Sequence, residues 1–528
     1  MLINLIYGSG STRADLYLDD LRSDKGVQPV VNDTEALFFG DVQGGRLFIQ
    51  TNWKAPNWRI FSVEPSNTAR DAWKEIIPES DAAIEGFSLF GGRVFVQYVR
   101  NVVSQVKIFD PDGKPAGEIK LPALGSVSGI SGNWSSPQAF VYFQSFNIPP
   151  SIFTFDVASG ALKLWAAPKV PFDSSAYSVE QVWYESKDKT RVPMFIIGRK
   201  NFPHDGARPT ILTGYGGFDV NRTPAFLGGL ATWLDAGGIV AQPNLRGGGE
   251  FGEAWHHAGM MEKKQNVFDD FESAAEYLIA NKYTNPSKLA ISGGSNGGLL
   301  VGAALTQRPD LFQAVVCQYP LLDMLRYQKF EDGPFWVPEY GSADNPDQFK
   351  YIYKYSPYQN VKKGEKYPAV LFVTGDGDTR VAPLHARKMA ALLQASTASD
   401  RPVLLLYDTK SGHSGGRPKS KQIEETTDVL SFLFSQLGVS PPTETSGSRP
   451  ESIPIEKATE ILGLAFSKSS VSAPAGASKP EQGGILGPTG SGVQILTPTG
   501  GVVAISRLRL KPLRGVCPTV APGACQRL

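Results

Sequence analysis

One serine sits between two glycines in Gly293-Gly294-Ser295-Asn296-Gly297, after an apolar run ending at Ile291 and before another at Leu299-Leu300-Val301. A strand that passes into a helix through such a pattern must bend sharply. Flanking side chains would clash there, and the bend lifts the serine hydroxyl clear of the sheet. A hydroxyl so placed is a nucleophile for acyl transfer once a base removes its proton. The same five residues would also make a plain turn, but a strand before and a helix after are the setting the chemistry requires.

The base has to be a histidine, and there are five: His204, His256, His257, His385 and His413. On a strand–serine–helix bend of this kind the chain order is serine, acid, histidine, which sets aside the first three. His385 lies in the helical stretch Pro383-Leu384-His385-Ala386-Arg387, where a packed or surface histidine is the ordinary reading. His413 lies in Ser411-Gly412-His413-Ser414-Gly415-Gly416, a loop just past the apolar run 403–407, where the base must sit. The acid should follow the preceding strand. Thr374-Gly375-Asp376-Gly377-Asp378-Thr379-Arg380 offers Asp376 and Asp378, which spacing alone does not separate. One oxyanion donor is expected from the backbone N–H of Asn296, at the positive end of a helix. A second must come from an earlier turn. In Thr213-Gly214-Tyr215-Gly216-Gly217-Phe218 the Tyr215 hydroxyl is the candidate, with packing at a sheet edge as its alternative role.

These groups need a scaffold, and from about residue 178 apolar runs alternate with amphipathic stretches. Strands are predicted near 209–212, 238–241, 288–291, 314–316, 369–373 and 403–407, and helices near 267–280, 296–307, 384–395 and 420–437. Such alternation calls for an α/β hydrolase arrangement, a mostly parallel sheet with helices on both faces. Runs rich in Val, Ile and Leu, rather than alternating ones, fit strands buried on both sides.

The first ~170 residues differ and contain a repeat. Arg46-Leu47-Phe48-Ile49-Gln50 returns as Arg93-Val94-Phe95-Val96-Gln97 and more faintly as Phe140-Val141-Tyr142-Phe143-Gln144, an interval of 47 residues each time. Each is followed by a second strand ending in an acidic turn, and Leu16-Tyr17-Leu18-Asp19 fits the end of an earlier unit. All-strand units of that length are what propeller blades require, with an ordinary sandwich as the alternative. About three to four blades fit, fewer than a closed propeller needs, so a partial β-propeller and a truncated N-terminus are expected. The expected division is 1–170 propeller, 171–438 catalytic domain and 439–528 a Ser-, Pro-, Gly- and Thr-rich disordered tail.

The 528 residues, 41% hydrophobic and 20% charged, are those of a soluble protein of more than one domain. A net charge of +1 gives no reason to expect nucleic acid or an anionic membrane as partner. No apolar run approaches the roughly 20 residues of a membrane span, and the N-terminus reads poorly as a signal peptide. The three cysteines, Cys317, Cys517 and Cys525, form neither a disulfide framework nor a metal-ligand cluster. A reducing, cytoplasmic setting is therefore expected, with no metal or cofactor and a monomeric state.

Several long segments carry a resemblance. Gly214-Tyr215-Gly216-Gly217-Phe218, Asn244-Leu245-Arg246-Gly247-Gly248-Gly249-Glu250-Phe251-Gly252 and Lys264-Gln265-Asn266-Val267-Phe268-Asp269-Asp270-Phe271 are three of them. The serine segment, Gly377-Asp378-Thr379-Arg380-Val381 and Asp408-Thr409-Lys410-Ser411-Gly412-His413 are the others. Together they resemble the prolyl oligopeptidase (prolyl endopeptidase) family over roughly 1–437. The resemblance implies a serine endopeptidase that cuts short peptides on the carboxyl side of proline. It implies Asp378 rather than Asp376 as the acid, with Ser295 and His413, and assigns Tyr215 to the oxyanion hole. It further implies that Trp336 stacks on the substrate proline, that Phe218, Tyr340 and Val381 wall the pocket, and that Arg380 binds a substrate carbonyl. A flat aromatic floor with apolar sides suits an uncharged pyrrolidine ring. Family members carry a seven-bladed propeller, whose opening blades have no counterpart here. Two rival expectations are a relative cutting after basic residues, which would need carboxylates in the pocket, and a truncated, inactive binding protein.

Overall fold

The computed structural model describes residues 1–7, 12–413 and 418–440, and the backbone of two further strands at 492–496 and 502–506. Up to Ala166 the chain forms antiparallel meanders of three or four strands. Leu2–Ile6, Ala14–Leu18 and Gln28–Val31 make the first. Phe38–Gln43, Arg46–Thr51, Arg59–Val63 and Lys74–Ile77 make the second. Two more four-stranded sheets follow, over 83–119 and 126–166. Each predicted repeat segment is the second strand of its blade. The first two segments lack polar alternation because neighbouring blades cover both faces. Phe48 packs with Val94 and Val96, whereas Leu47 and Ile49 pack with Leu16 and Phe38 on the other side.

The repeating glutamine has a physical role. Gln50 Nε2 donates to the Ile84 carbonyl of the next blade at 3.3 Å, and Gln97 Nε2 donates to that of Val127 at 2.7 Å. The third has no blade after it, and its Oε1 accepts the Phe226 N–H at 3.2 Å instead.

The second unit is one eight-stranded mixed sheet. Its strands are β1 (Tyr177–Glu185), β2 (Arg191–Arg199), β3 (Thr210–Thr213), β4 (Ile239–Pro243), β5 (Leu289–Gly294), β6 (Ala314–Gln318), β7 (Ala369–Gly375) and β8 (Val403–Asp408). Their order is β1-β2-β4-β3-β5-β6-β7-β8, antiparallel as far as β4 and parallel beyond. The antiparallel pair β1–β2 was not anticipated from the sequence. Helices α1 (Gln265–Ala280), α2 (Asn296–Gln307) and α3 (Leu384–Ser396) pack through Phe271, Leu300 and Met389 on one face. Helix α4 (Lys419–Leu437) packs through Val429 and Leu433 on the other. The architecture is an α/β hydrolase preceded by propeller blades.

The tail expected at 439–528 lies almost entirely outside the described residues, as do Cys517 and Cys525. The exception is the backbone hairpin of Gly492–Leu496 and Val502–Ser506, which pairs antiparallel with Leu2–Ile6 beside the first blade. No described helix is long and apolar enough to cross a membrane.

Candidate active site

The bend between β5 and α2 carries Ser295 at φ 58° and ψ −120°, a region that non-glycine residues seldom occupy. Three contacts hold it there. The Ser295 N–H donates to the Gln318 carbonyl at the end of β6 at 2.9 Å. The Ser295 carbonyl accepts N–H groups of Gly298 and Leu299, which starts the helix. A Cβ at Gly293 would lie 2.2 Å from the Gly297 carbonyl oxygen, so the motif glycine is required by close approach. Asn296 opens α2, where the first N–H groups have no partner within the helix and point out past the serine.

The carboxyl ends of β7 and β8 bring the other two groups together. His413 Nδ1 lies 2.8 Å from Asp378 Oδ2. The second oxygen of Asp378 accepts the N–H groups of Arg380 at 3.0 Å and Val381 at 2.9 Å, and its side chain is fully buried. The two loops are stitched directly, since the Gly377 N–H donates to the Ser411 carbonyl at 3.0 Å. Asp376, the acid that spacing left open, is exposed and bonded to the Tyr407 hydroxyl instead. The His413 ring meets the edge of Tyr319, the residue next to the Ser295 anchor at Gln318, with centroids 5.5 Å apart. His385 is buried, and its Nδ1 accepts the Asp323 N–H at 3.1 Å. Burial holds its pKa down at about 4, as befits a neutral packing residue.

Tyr215 stands on the turn after β3. A Cβ at Gly216, whose φ is 64°, would lie 2.3 Å from Val267, so glycine is needed for the turn to sit against α1. Burial raises the Tyr215 pKa against the lowering influence of the Arg380 charge. The phenol therefore stays protonated and able to donate at neutral pH. Asn296 fixes the turn from below: its Nδ2 donates to the Tyr215 carbonyl at 2.6 Å, and its Oδ1 accepts from the Tyr340 hydroxyl at 2.7 Å.

Of the pocket candidates, Trp336, Tyr340 and Val381 are buried in the large apolar core on this face of the sheet, against which Phe218 packs. Phe218 meets Tyr340 edge-on at 5.4 Å and is the partly exposed member, at φ 58°. Tyr340 is fully buried and touches Phe218 and Asn296.

Three residues around this site were not assigned a role from the sequence. Glu339 is completely buried between Lys264 Nζ at 3.2 Å and His256 Nε2 at 2.8 Å. Lys264 sits inside a segment that carried the resemblance, Glu339 adjoins Tyr340, and His256 was set aside only as a base. Nothing in a linear sequence says that the three meet. Glu253, His256 and His257 also place three potential metal-ligand atoms within 4.8 Å of one another. His256 is, however, flanked by two carboxylates, which outweigh its burial and hold its pKa up at about 10, so it is a cation at neutral pH. Burial pushes the Cys317 thiol well up, leaving an inert core residue.

An α/β hydrolase sheet with a strained serine at the β5–α2 bend, joined to propeller blades, defines the class of the molecule. Two family models match it: the prolyl oligopeptidase family at residues 225–440 and the prolyl oligopeptidase N-terminal β-propeller domain at 3–168. The chain belongs to the prolyl oligopeptidase family. It is 41% identical to a prolyl endopeptidase of Elizabethkingia miricola over 427 residues, covering 80% of this chain and 60% of that one. A prolyl endopeptidase of Dictyostelium discoideum is 40% identical over 78% of this chain and 57% of its own. Among solved structures, one from a mechanistic study of two prolyl endopeptidases superposes with a TM-score of 0.80 at 44% identity, covering 83% of this chain and 64% of that chain. Prolyl oligopeptidase B from Galerina marginata, bound to a 35mer substrate, gives 0.77 at 33% identity over 82% and 63%. The chain thus spans about 60% of the length of the relatives it matches.

Proposed function

We propose that this chain is a serine endopeptidase that hydrolyses short peptides on the carboxyl side of proline through an acyl-enzyme. The observation that carries the reading is the buried Asp378 carboxylate bonded to His413 Nδ1, because it leaves Nε2 to face the nucleophile as a base. Ser295 Oγ attacks the scissile carbonyl carbon, and its proton passes to His413 Nε2. The Tyr215 hydroxyl and the Asn296 N–H hold the oxyanion. His413 then gives the proton to the departing amine as the C–N bond breaks. Water, activated by the same imidazole, adds to the ester carbonyl and releases Ser295. No step calls on a metal or cofactor.

Proline specificity is supported by the names of the relatives and by the wall chemistry. Trp336, Tyr340, Val381 and Phe218 form an apolar group, whereas a pocket for a basic side chain would need an unpaired carboxylate. Glu339, the acid among them, is already held by two cations. Arg380, its N–H on Asp378, leaves its guanidinium near Tyr215 to meet a substrate carbonyl.

The test is turnover of a blocked Gly-Pro reporter and its arginine counterpart by wild type and Ser295→Ala. Cleavage of the proline reporter that disappears in the variant is the expected result. Equal cleavage by the variant removes Ser295 from the mechanism, and a preference for arginine removes the pocket assignment. No reaction of wild type with either reporter or with a fluorophosphonate would favour a binding role for this chain.

A further inference from the structure

A chain of polar contacts runs from a propeller loop to the turn that carries Tyr215. Asn52 follows the second strand of the second blade. Its Oδ1 accepts the Leu37 N–H at 2.8 Å, which fixes the amide orientation, and its Nδ2 donates to Glu253 Oε1 at 2.8 Å in the hydrolase unit. The same loop accepts the Glu253 N–H at the Pro56 carbonyl, at 3.0 Å. Glu253 Oε2 pairs with His256 Nδ1 at 3.8 Å, and His256 Nε2 with Glu339 Oε2 at 2.8 Å. Glu339 Oε1 pairs with Lys264 Nζ at 3.2 Å, and that ammonium donates to the Gly216 carbonyl at 2.9 Å. His256, Lys264 and Glu339 are all nearly or fully buried, so their charges are compensated by one another and by Glu253.

We propose that Glu339 is a positioning residue for Tyr215 and Phe218, and that Asn52 extends its seat into the propeller, so that blade contact sets the geometry of the oxyanion turn. The argument is one of placement. Buried charges held by fixed partners leave the Gly216 carbonyl one position, and Tyr215 is the residue immediately before it in the chain. A Cβ at Gly217 would come within 3.0 Å of Glu339 Oε1, Lys264 Nζ and Asn296 Nδ2, so the backbone lies directly on the charged hub. None of these groups faces the reacting atoms. Their effect is transmitted through the Gly216–Phe218 backbone, which is why an effect on kcat rather than on KM is expected.

The catalytic arm of this inference rests on the peptidase reading above, and the experiment keeps the two apart. Glu339→Gln should lower kcat on the short proline reporter about tenfold, and Asn52→Ala about threefold, with KM moving less than twofold. In a Tyr215→Phe background both losses should nearly vanish, because a hydroxyl that is absent needs no positioning. Asn52 is half-exposed, so its variant should fold even where the buried Glu339 variant does not. Gln181→Ala serves as control, since it removes another contact between the units, Gln181 Nε2 to the Asn101 carbonyl at 3.0 Å. Amide hydrogen exchange of the 214–218 segment should quicken in Asn52→Ala and not in Gln181→Ala. Losses that multiply with Tyr215→Phe, or exchange at 214–218 unchanged by Asn52→Ala, would overturn the proposal. If wild type turns over no proline reporter, the peptidase reading falls by itself and the exchange measurement still decides this one.

Discussion

His413 Nδ1 and Asp378 Oδ2 stand 2.8 Å apart at the ends of two neighbouring strands, while Asp376, two residues earlier, turns outward to Tyr407. The difference follows from the loop after β7. The Arg380 and Val381 N–H groups point inward and neutralise a carboxylate at position 378, and no such pair of donors serves position 376.

Asp378→Asn should therefore keep the loop but favour the wrong imidazole tautomer, lowering kcat about 10³–10⁴-fold with KM little changed. Asp376→Asn should leave kcat within about twofold. Steady-state turnover of the proline reporter reads both, and similar losses in the two variants would remove the distinction.

Phe218 is the partly exposed member of the proposed pocket. Phe218→Ala should raise KM for the proline reporter about tenfold and lower the proline-to-arginine preference, since an apolar wall acts mainly through binding. A loss confined to kcat would instead assign Phe218 to the geometry of the Tyr215 turn.

Gly293→Ala places a methyl group 2.2 Å from the Gly297 carbonyl oxygen. The bend cannot yield without moving α2, so a loss of about 2–4 kcal/mol is expected. The fluorophosphonate reaction at Ser295 should slow at temperatures where far-UV dichroism shows the fold intact. Unchanged labelling and unchanged thermal midpoint would mean that the bend relaxes freely.

His256 gives a pH signature. Burial works against its charge, but Glu253 and Glu339 raise its pKa from 6.5 to about 10 in the folded chain. The stabilisation is complete below pH 6.5 and is lost as pH rises through about 10, because the unfolded histidine is then neutral and the folded one must follow. His256→Gln should cost about 2–4 kcal/mol at pH 6, and the gap to wild type should narrow as pH approaches 10. Denaturant unfolding at the two pH values checks this, and a gap independent of pH would show His256 to be uncharged.

The sequence by itself determined the strand–serine–helix bend, the alternation of the hydrolase unit and the interval of the propeller repeat. Each is written in neighbouring residues: glycines around Ser295, continuous Val/Ile/Leu runs in β5 to β8, and a glutamine at the end of each repeat segment. It also narrowed the base to His413, because chain order and loop position are linear properties. The choice between Asp376 and Asp378 needed the resemblance; in the structure it is Asp378 that lies against His413. Only the tertiary structure decided that His256, Lys264 and Glu339 share one buried site, that Asn52 of the propeller reaches it, and that β1 and β2 extend the sheet. Those contacts join residues tens to hundreds of positions apart, and an ion pair depends on the distance between charges in space, which no local pattern encodes.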